Sequence, residues 1–154
     1  MRLKNYTNYA LRTLQMAALR APALTRVDQV AAAHGVSRAH IMKIVHELGK
    51  AGYVETVRGR GGGFRLARDP AEITVGEVVR LTEAPIELVE CFNADTNSCP
   101  LIGICRLSTA LDAALDAFLQ VLDGVTVADL AGNRGDLVDR LGAVADAPPA
   151  EAAR

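Results

Sequence analysis

All three cysteines of this 154-residue chain fall in one stretch, "VECFNADTNSCPLIGICRL", at Cys91, Cys99 and Cys105, with seven and then five residues between them. Thiols gathered in this way can cross-link, exchange electrons or hold a metal. A disulfide leaves one thiol over and suits a reducing compartment poorly. Structural zinc takes four ligands, usually from close Cys-x-x-Cys pairs, and the stretch contains no such pair. The histidines that could complete a zinc site, His34, His40 and His46, belong to a distant part of the chain. A thiol switch needs an attacking and a resolving cysteine, which three thiols in one loop supply. An iron–sulfur cluster needs thiolates from a loop able to wrap its corners, and three of them leave one iron with a weaker ligand. That vacancy makes a poor electron carrier and a good sensor. Spacing alone leaves cluster, zinc and thiol chemistry open.

The rest of the chain must position these thiols. Its length suits one compact domain with an appendage. No N-terminal stretch resembles a signal peptide and no run approaches the roughly 20 apolar residues of a membrane span, so a cytoplasmic setting is expected. The net charge of −1 conceals a division. Residues 1–68 carry 12 Lys and Arg against 3 Asp and Glu, and residues 69–154 carry 5 against 15. A half at +9 suits a polyanionic partner, while the half at −10 does something else.

Within the basic half, "TNYALRTLQMAALRA" has the apolar spacing of a helix, with Ala10, Leu14, Ala17 and Ala18 on one face. A second helix is expected from Thr25, with Asp28 completing its N-terminal box and Gly35 ending it. Ser37 then caps a third helix, whose Ile41, Ile44, Val45 and Leu48 form an apolar stripe and which Gly52 closes. Joined by "HGVS", the second and third helices read as a helix-turn-helix. The polar face of the third offers Arg38, His40, Lys43, His46 and Lys50. Two strand-like segments follow, "YVETV" and "FRLA", separated by "RGRGGG". Gly61, Gly62 and Gly63 are expected to supply the positive φ of a tight hairpin. A phosphate loop is excluded, because the run lacks the Gly-Lys-Ser/Thr ending and opens no helix. A basic hairpin after a helix-turn-helix is a wing, and Arg58, Arg60 and Arg65 would approach phosphates or the minor groove.

In the acidic half, Thr74 and Glu77 form a capping box for a short helix through Leu81, stopped by Pro85. Beyond the cysteines, Ile104, Leu107, Leu111, Ala114, Phe118 and Val121 alternate spacings of three and four, a coiled-coil-like seam. A small winged domain has little use for so long an apolar helix, so a dimer interface is expected. Thr126 caps a last short helix, and "DAPPAEAAR" reads as a frayed tail. The expected organisation is a winged helix-turn-helix over 1–68, a short helix, cysteine loop and dimerisation helix over 69–132, and a partly disordered tail over 133–154. The fold class is mainly α with a small β-hairpin wing.

Over about 130 residues the chain resembles the winged-helix iron–sulfur regulators that include NsrR, IscR and RirA. The segments that carry the likeness are "MRLKNYTNYALR", "GVSRAHIMKIV", "VRGRGGGFRLA", "VGEVVR", "LVECF", "CPLIGICRL" and "LDGVTVADL". The resemblance implies a homodimeric repressor that binds double-stranded DNA at an inverted repeat, with a cluster on Cys91, Cys99 and Cys105. It implies DNA contacts from Ser37, Arg38, His40 and Lys43 and from the wing. The IscR branch has a histidine ligand where this chain has Ser108, which favours a 4Fe-4S over a 2Fe-2S cluster. Asn8 stands where the NsrR branch usually has an aspartate that can serve as fourth ligand from the partner subunit; a neutral amide oxygen offsets iron's charge poorly. "TNYALR" and "CPL" look like the iron-responsive RirA branch, while "LVECF", "CRL" and "TVADL" look like the nitric-oxide-responsive NsrR branch. An electron carrier or thiol oxidoreductase has no use for the basic winged half, and a zinc-stabilised or thiol-redox regulator is the remaining alternative.

Overall fold

The computed structural model describes residues 2–145; the expected frayed tail, 146–154, lies outside the described residues. Seven α-helices, two 3-10 turns and one hairpin are the regular elements of that part of the chain. Helix α1 (Asn5–Arg20) buries Thr7, Ala10, Thr13, Leu14 and Ala17 along one face. It is the central strut, touching α3 and the hairpin on one side and two later helices on the other.

Helix α2 (Val27–His34) begins two residues later than the sequence suggests. Thr25 is not its cap, because it exchanges both backbone hydrogen bonds with Phe64, at 2.9 and 2.8 Å. The box at its start is closed instead by the Gln29 side chain, which accepts the Arg26 N–H at 2.9 Å. Gly35 ends α2 in the left-handed region, φ 62°, as its position predicts. Ser37 caps α3 (Arg38–Lys50), accepting the His40 N–H at 3.4 Å, and the Ile41, Ile44, Val45 and Leu48 stripe is buried. These residues join Leu14, Val30, Phe64, Ile73, Val78 and Val127 in the main core.

Strands β1 (Val54–Val57) and β2 (Gly63–Leu66) pair antiparallel from Val54↔Leu66 to Val57↔Gly63. The glycines between them divide their work differently from the expectation. Gly59 and Gly61 hold the positive φ values, 102° and 78°. Gly62 and Gly63 are required by close approach: a β-carbon would stand 2.3 Å from the Val57 carbonyl oxygen at Gly62 and 2.5 Å from that of Thr25 at Gly63.

Helix α4 (Val75–Glu83) starts with the expected box, Thr74 N–H donating to Glu77 at 3.0 Å and Glu77 N–H to the Thr74 hydroxyl at 3.1 Å. Its last residue completes a different helix. The Glu83 carboxylate accepts the Lys4 N–H at 2.7 Å and the Thr7 hydroxyl. No residue of α1 supplies a side-chain cap there, so an anion from α4 takes the position that helix dipoles favour.

Helix α5 (Arg106–Asp123) follows the cysteine loop and returns to α4. Val75, Val79 and Leu119 form a second core with Leu115, Phe118 and Leu122 around it. Backbone bonds Val75 N–H to Val125 O and Val127 N–H to Ile73 O, both 2.8 Å, tie the end of α5 to the start of α4. Arg80 adds a bidentate ion pair to Asp123, at 2.6 and 2.7 Å. Helix α6 (Val127–Leu130) is capped by Thr126, whose own N–H donates to Asp129 at 2.8 Å. Residues 134–145, expected within the tail, form α7 (Arg134–Ala145), which packs beside α2.

Candidate cysteine centre and nucleic-acid interface

The loop between α4 and α5 has little regular structure, and short side-chain-to-backbone bonds shape it. Asn93 and Asn97 each accept the N–H two residues on, from Asp95 and Cys99, at 3.0 and 2.9 Å. A single 3-10 turn, Glu90–Phe92, carries Cys91. Cys105 is the N-cap of α5, its sulfur accepting the Ser108 N–H at 3.5 Å. The Ser108 hydroxyl in turn accepts from the Cys91 thiol at 3.4 Å. One serine in the first turn of α5 therefore joins two of the three thiols. Cys99 is held near them less directly: its neighbour Ser98 donates to Glu90, the neighbour of Cys91, at 3.4 Å.

All three thiols are half-buried and unpaired. Among the described residues, no three His, Cys, Asp or Glu side chains already stand in an arrangement that holds one metal ion. The donor set nonetheless fits iron–sulfur chemistry. Three soft sulfur donors share one irregular loop, the donor type that iron–sulfur clusters take. Asn8 is exposed on α1.

The seam on α5 divides in two. Leu119 is buried, with Leu115, Phe118 and Leu122 packed beside it, so the helix turns this face toward α4. The neighbouring stripe stays open: Ile104 is 78% exposed, Leu107 64% and Val121 70%. Phe118 belongs to both faces. Of the residues with coiled-coil spacing, Ile104 (just before the helix), Leu107, Ala114 and Val121 are exposed while Leu111 and Phe118 are half-buried, a distinction the spacing could not make.

On the basic side, Ser37, Arg38, His40 and Lys43 all lie at the exposed face of α3, with Met42, half-exposed, among them. Ser37 is partly engaged by its capping bond. Lys43 also lines a groove with Tyr6, Glu47 and Leu81, where α1, α3 and α4 meet. Burial and the Glu47 carboxylate raise the Tyr6 phenol above its ordinary value. Arg58 and Arg60 are exposed at the tip of the hairpin. Arg65 differs from its wing companions, because it is paired with Glu55, its partner across the strands.

Two residues of the site were not foreseen as links. Ser108 stands out in the sequence only as the residue at the IscR-branch ligand position, not as a link between thiols. Glu83 carries no signal, since its partners Lys4 and Thr7 are 79 and 76 positions away. Through Glu83, the residue before the cysteine loop begins, the loop meets the start of α1, and through Tyr6 that start meets α3.

Residues 3–133 match the Rrf2 family, described as iron-dependent transcriptional regulators. The HTH-type transcriptional regulator NsrR of Geobacillus kaustophilus is 54% identical over 89% of this chain and 94% of its own length. NsrR of Bacillus subtilis is 46% identical over 92% and 97%. Among solved structures, IscR of T. potens superposes with a TM-score of 0.69 at 22% identity, over 87% of this chain and 88% of that one. The oxidized form of Staphylococcus aureus CymR gives 0.68 at 25% identity, over 85% and 96%.

Proposed function

Because the chain belongs to the Rrf2 family of iron-dependent transcriptional regulators, we propose that it is a homodimeric repressor that responds to nitric oxide through a 4Fe-4S cluster on Cys91, Cys99 and Cys105. The observation that carries this reading is the position of Cys105. It is the N-cap of the same helix whose flank is the open apolar stripe, so thiol chemistry and subunit pairing share one rigid element.

Each group then has a task. The three thiolates would hold the cluster, and Ser108 joins the elements that carry Cys91 and Cys105. When bound, the cluster supplies an iron without a thiolate, open to a compact neutral molecule such as nitric oxide. The open stripes of α5 pair two copies of the chain. Arg38, His40 and Lys43 of α3, with Ser37 at its start, meet the major groove, and Arg58 and Arg60 track the phosphates or the minor groove. Glu83 holds the first turn of α1 against α4, so a shift of the loop moves the winged half. The relatives named NsrR support nitric oxide as the signal. Binding chromosomal DNA places the protein in the cytoplasm.

A second reading, an iron-responsive repressor of the RirA kind, is favoured by Asn8. A cluster whose fourth ligand is a neutral amide would be the first to lose iron as supply falls. To separate the two, anaerobic DNA-bound holoprotein is titrated with nitric oxide and, in parallel, with an iron chelator while DNA release is followed. Release at a few nitric oxide molecules per cluster, with slow response to chelator, is expected. Prompt release by chelator with DNA binding intact after nitric oxide exposure would assign the protein to iron sensing.

A further inference from the structure

The arrangement of the thiols carries a consequence for the chain without its cluster. Cys91 and Cys105 are brought to one residue, Ser108, whose hydroxyl lies 3.4 Å from the first sulfur and whose N–H lies 3.5 Å from the second. Neither sulfur has any other hydrogen-bond partner among the described residues. Among the described residues the Cys99 sulfur makes no hydrogen bond to Ser108 or to another thiol. It sits in an Asn97-closed turn, tethered to the Cys91 turn only through Ser98 and Glu90. An open depression lined by Ile86, Cys91, Phe92, Ser108 and Asp112 runs to the Cys91–Ser108 contact, so a small oxidant can reach it.

We propose that the cluster-free chain is a two-thiol redox site in which Cys91 and Cys105 form a reversible disulfide and Cys99 is left free. The oxidant is a peroxide. One thiolate attacks a peroxide oxygen, breaking the O–O bond, to give a sulfenic acid and, after protonation, one water. The second thiolate attacks that sulfur and displaces hydroxide, which leaves as a second water. Two thiols are oxidised and one hydrogen peroxide is reduced to two waters. Disulfide Cβ atoms stand about 3.8 Å apart; the Ser108 hydroxyl must withdraw from the Cys91 sulfur and the 3-10 turn must close on the first turn of α5. That turn belongs to an irregular loop rather than to either core.

On the ligand assignment proposed above, this disulfide would remove two of three ligands and block reloading until a thiol reductant restores them. The pairing itself does not depend on that assignment. It is tested on full-length protein stripped of iron and fully reduced, so a failure of the cluster reading leaves the outcome intact. One equivalent of hydrogen peroxide is added, the reaction is quenched in acid, free thiols are alkylated, and unreduced peptides are mapped by mass spectrometry. The expected product is the Cys91–Cys105 linked peptide with alkylated Cys99. Cys99→Ser should form a disulfide at the wild-type rate, and Cys91→Ser and Cys105→Ser should each lose it at least tenfold. Circular dichroism on each variant checks that the fold is kept. Linkages through Cys99 in most of the product, links between two chains, or slowing by Cys99→Ser as great as by Cys91→Ser would overturn the proposal.

Discussion

The carboxylate of Asp123 fills the space that a β-carbon on Gly76 would need: its Oδ1 stands 1.9 Å from that position. The glycine is therefore the socket in which the last residue of α5 reaches Arg80 across α4. Gly76→Ala must push the carboxylate aside, but that carboxylate is the exposed end of a flexible side chain, so stability should fall only slightly, through loss of the exposed pair with Arg80. Thermal unfolding measures this. The double variant Gly76→Ala, Asp123→Ala should lose no more than the single one; a large loss in both would mean that the helices, not the side chain, obstruct the methyl group.

The wing arginines should separate in DNA binding. Arg60→Ala should weaken affinity by roughly 1–3 kcal/mol if it makes a specific groove contact. Arg65→Ala should cost less, because Glu55 already engages that side chain. Gel shifts at fixed salt compare them, and the wild-type affinity should fall steeply as salt rises. A larger loss for Arg65 would show that DNA displaces Glu55.

Replacing any one of Cys91, Cys99 and Cys105 by Ala should abolish the brown colour of anaerobically purified protein or leave it short-lived. Asn8→Ala should change it much less. Visible absorbance decides, and bleaching by Asn8→Ala as complete as by Cys99→Ala would make Asn8 a full ligand.

Val121 is 70% exposed in the open stripe of α5, so Val121→Glu should leave the subunit folded while separating the proposed dimer. Sedimentation velocity should show the mass fall by about half with an unchanged far-ultraviolet spectrum, since a buried like-charge pair cannot be tolerated at such an interface. An unaltered mass would place the interface elsewhere.

His34 closes α2, its Nε2 buried without a hydrogen-bond partner. Burial, reinforced by the Arg12 guanidinium, lowers its pKa below the ordinary value of 6.5. The fold therefore prefers the neutral ring. This stability is present above the unfolded pKa of about 6.5 and is lost as pH falls through it toward the folded value. The urea midpoint should drop between about pH 7.5 and about pH 5.5, and His34→Gln should flatten that drop. An unchanged slope in the variant would assign the pH dependence to other groups.

What the sequence revealed depended on how local the cause was. Ser37 with its buried stripe and Thr74 with Glu77 are signals within one or two turns, and the structure repeats them. The start of α2 was displaced because Thr25 answers to Phe64, a strand residue 39 positions away. Helix α7 was hidden by Gly135 and Gly142, poor helix formers, while Leu137 and Leu141 give it only a thin half-buried edge. The three cysteines were plain from their spacing, yet which two share Ser108 was not, since that depends on how a 3-10 turn packs against the foot of α5. Glu83 capping α1 is invisible for the same reason: helix propensity describes a segment, and this cap arrives from another one.

The exchange of both hydrogen bonds between Thr25 and Phe64 gives the wing a third edge that belongs to the connection before α2. At its other side, Tyr53 N–H donates to Leu48 of α3 at 2.9 Å and Ala67 N–H to Tyr53 at 3.0 Å. Helix α3 and the hairpin are thus riveted to the same block, like a die on a mount. If, as proposed, two such dies read the half-sites of one operator, whatever reaches the block from α4 or α5 would change how far apart they are held but not the shape that either one prints. The letters of a half-site would then be written in α3 and the hairpin, and the distance between half-sites in the helices beyond them, so that the two drift independently in the descendants of this chain.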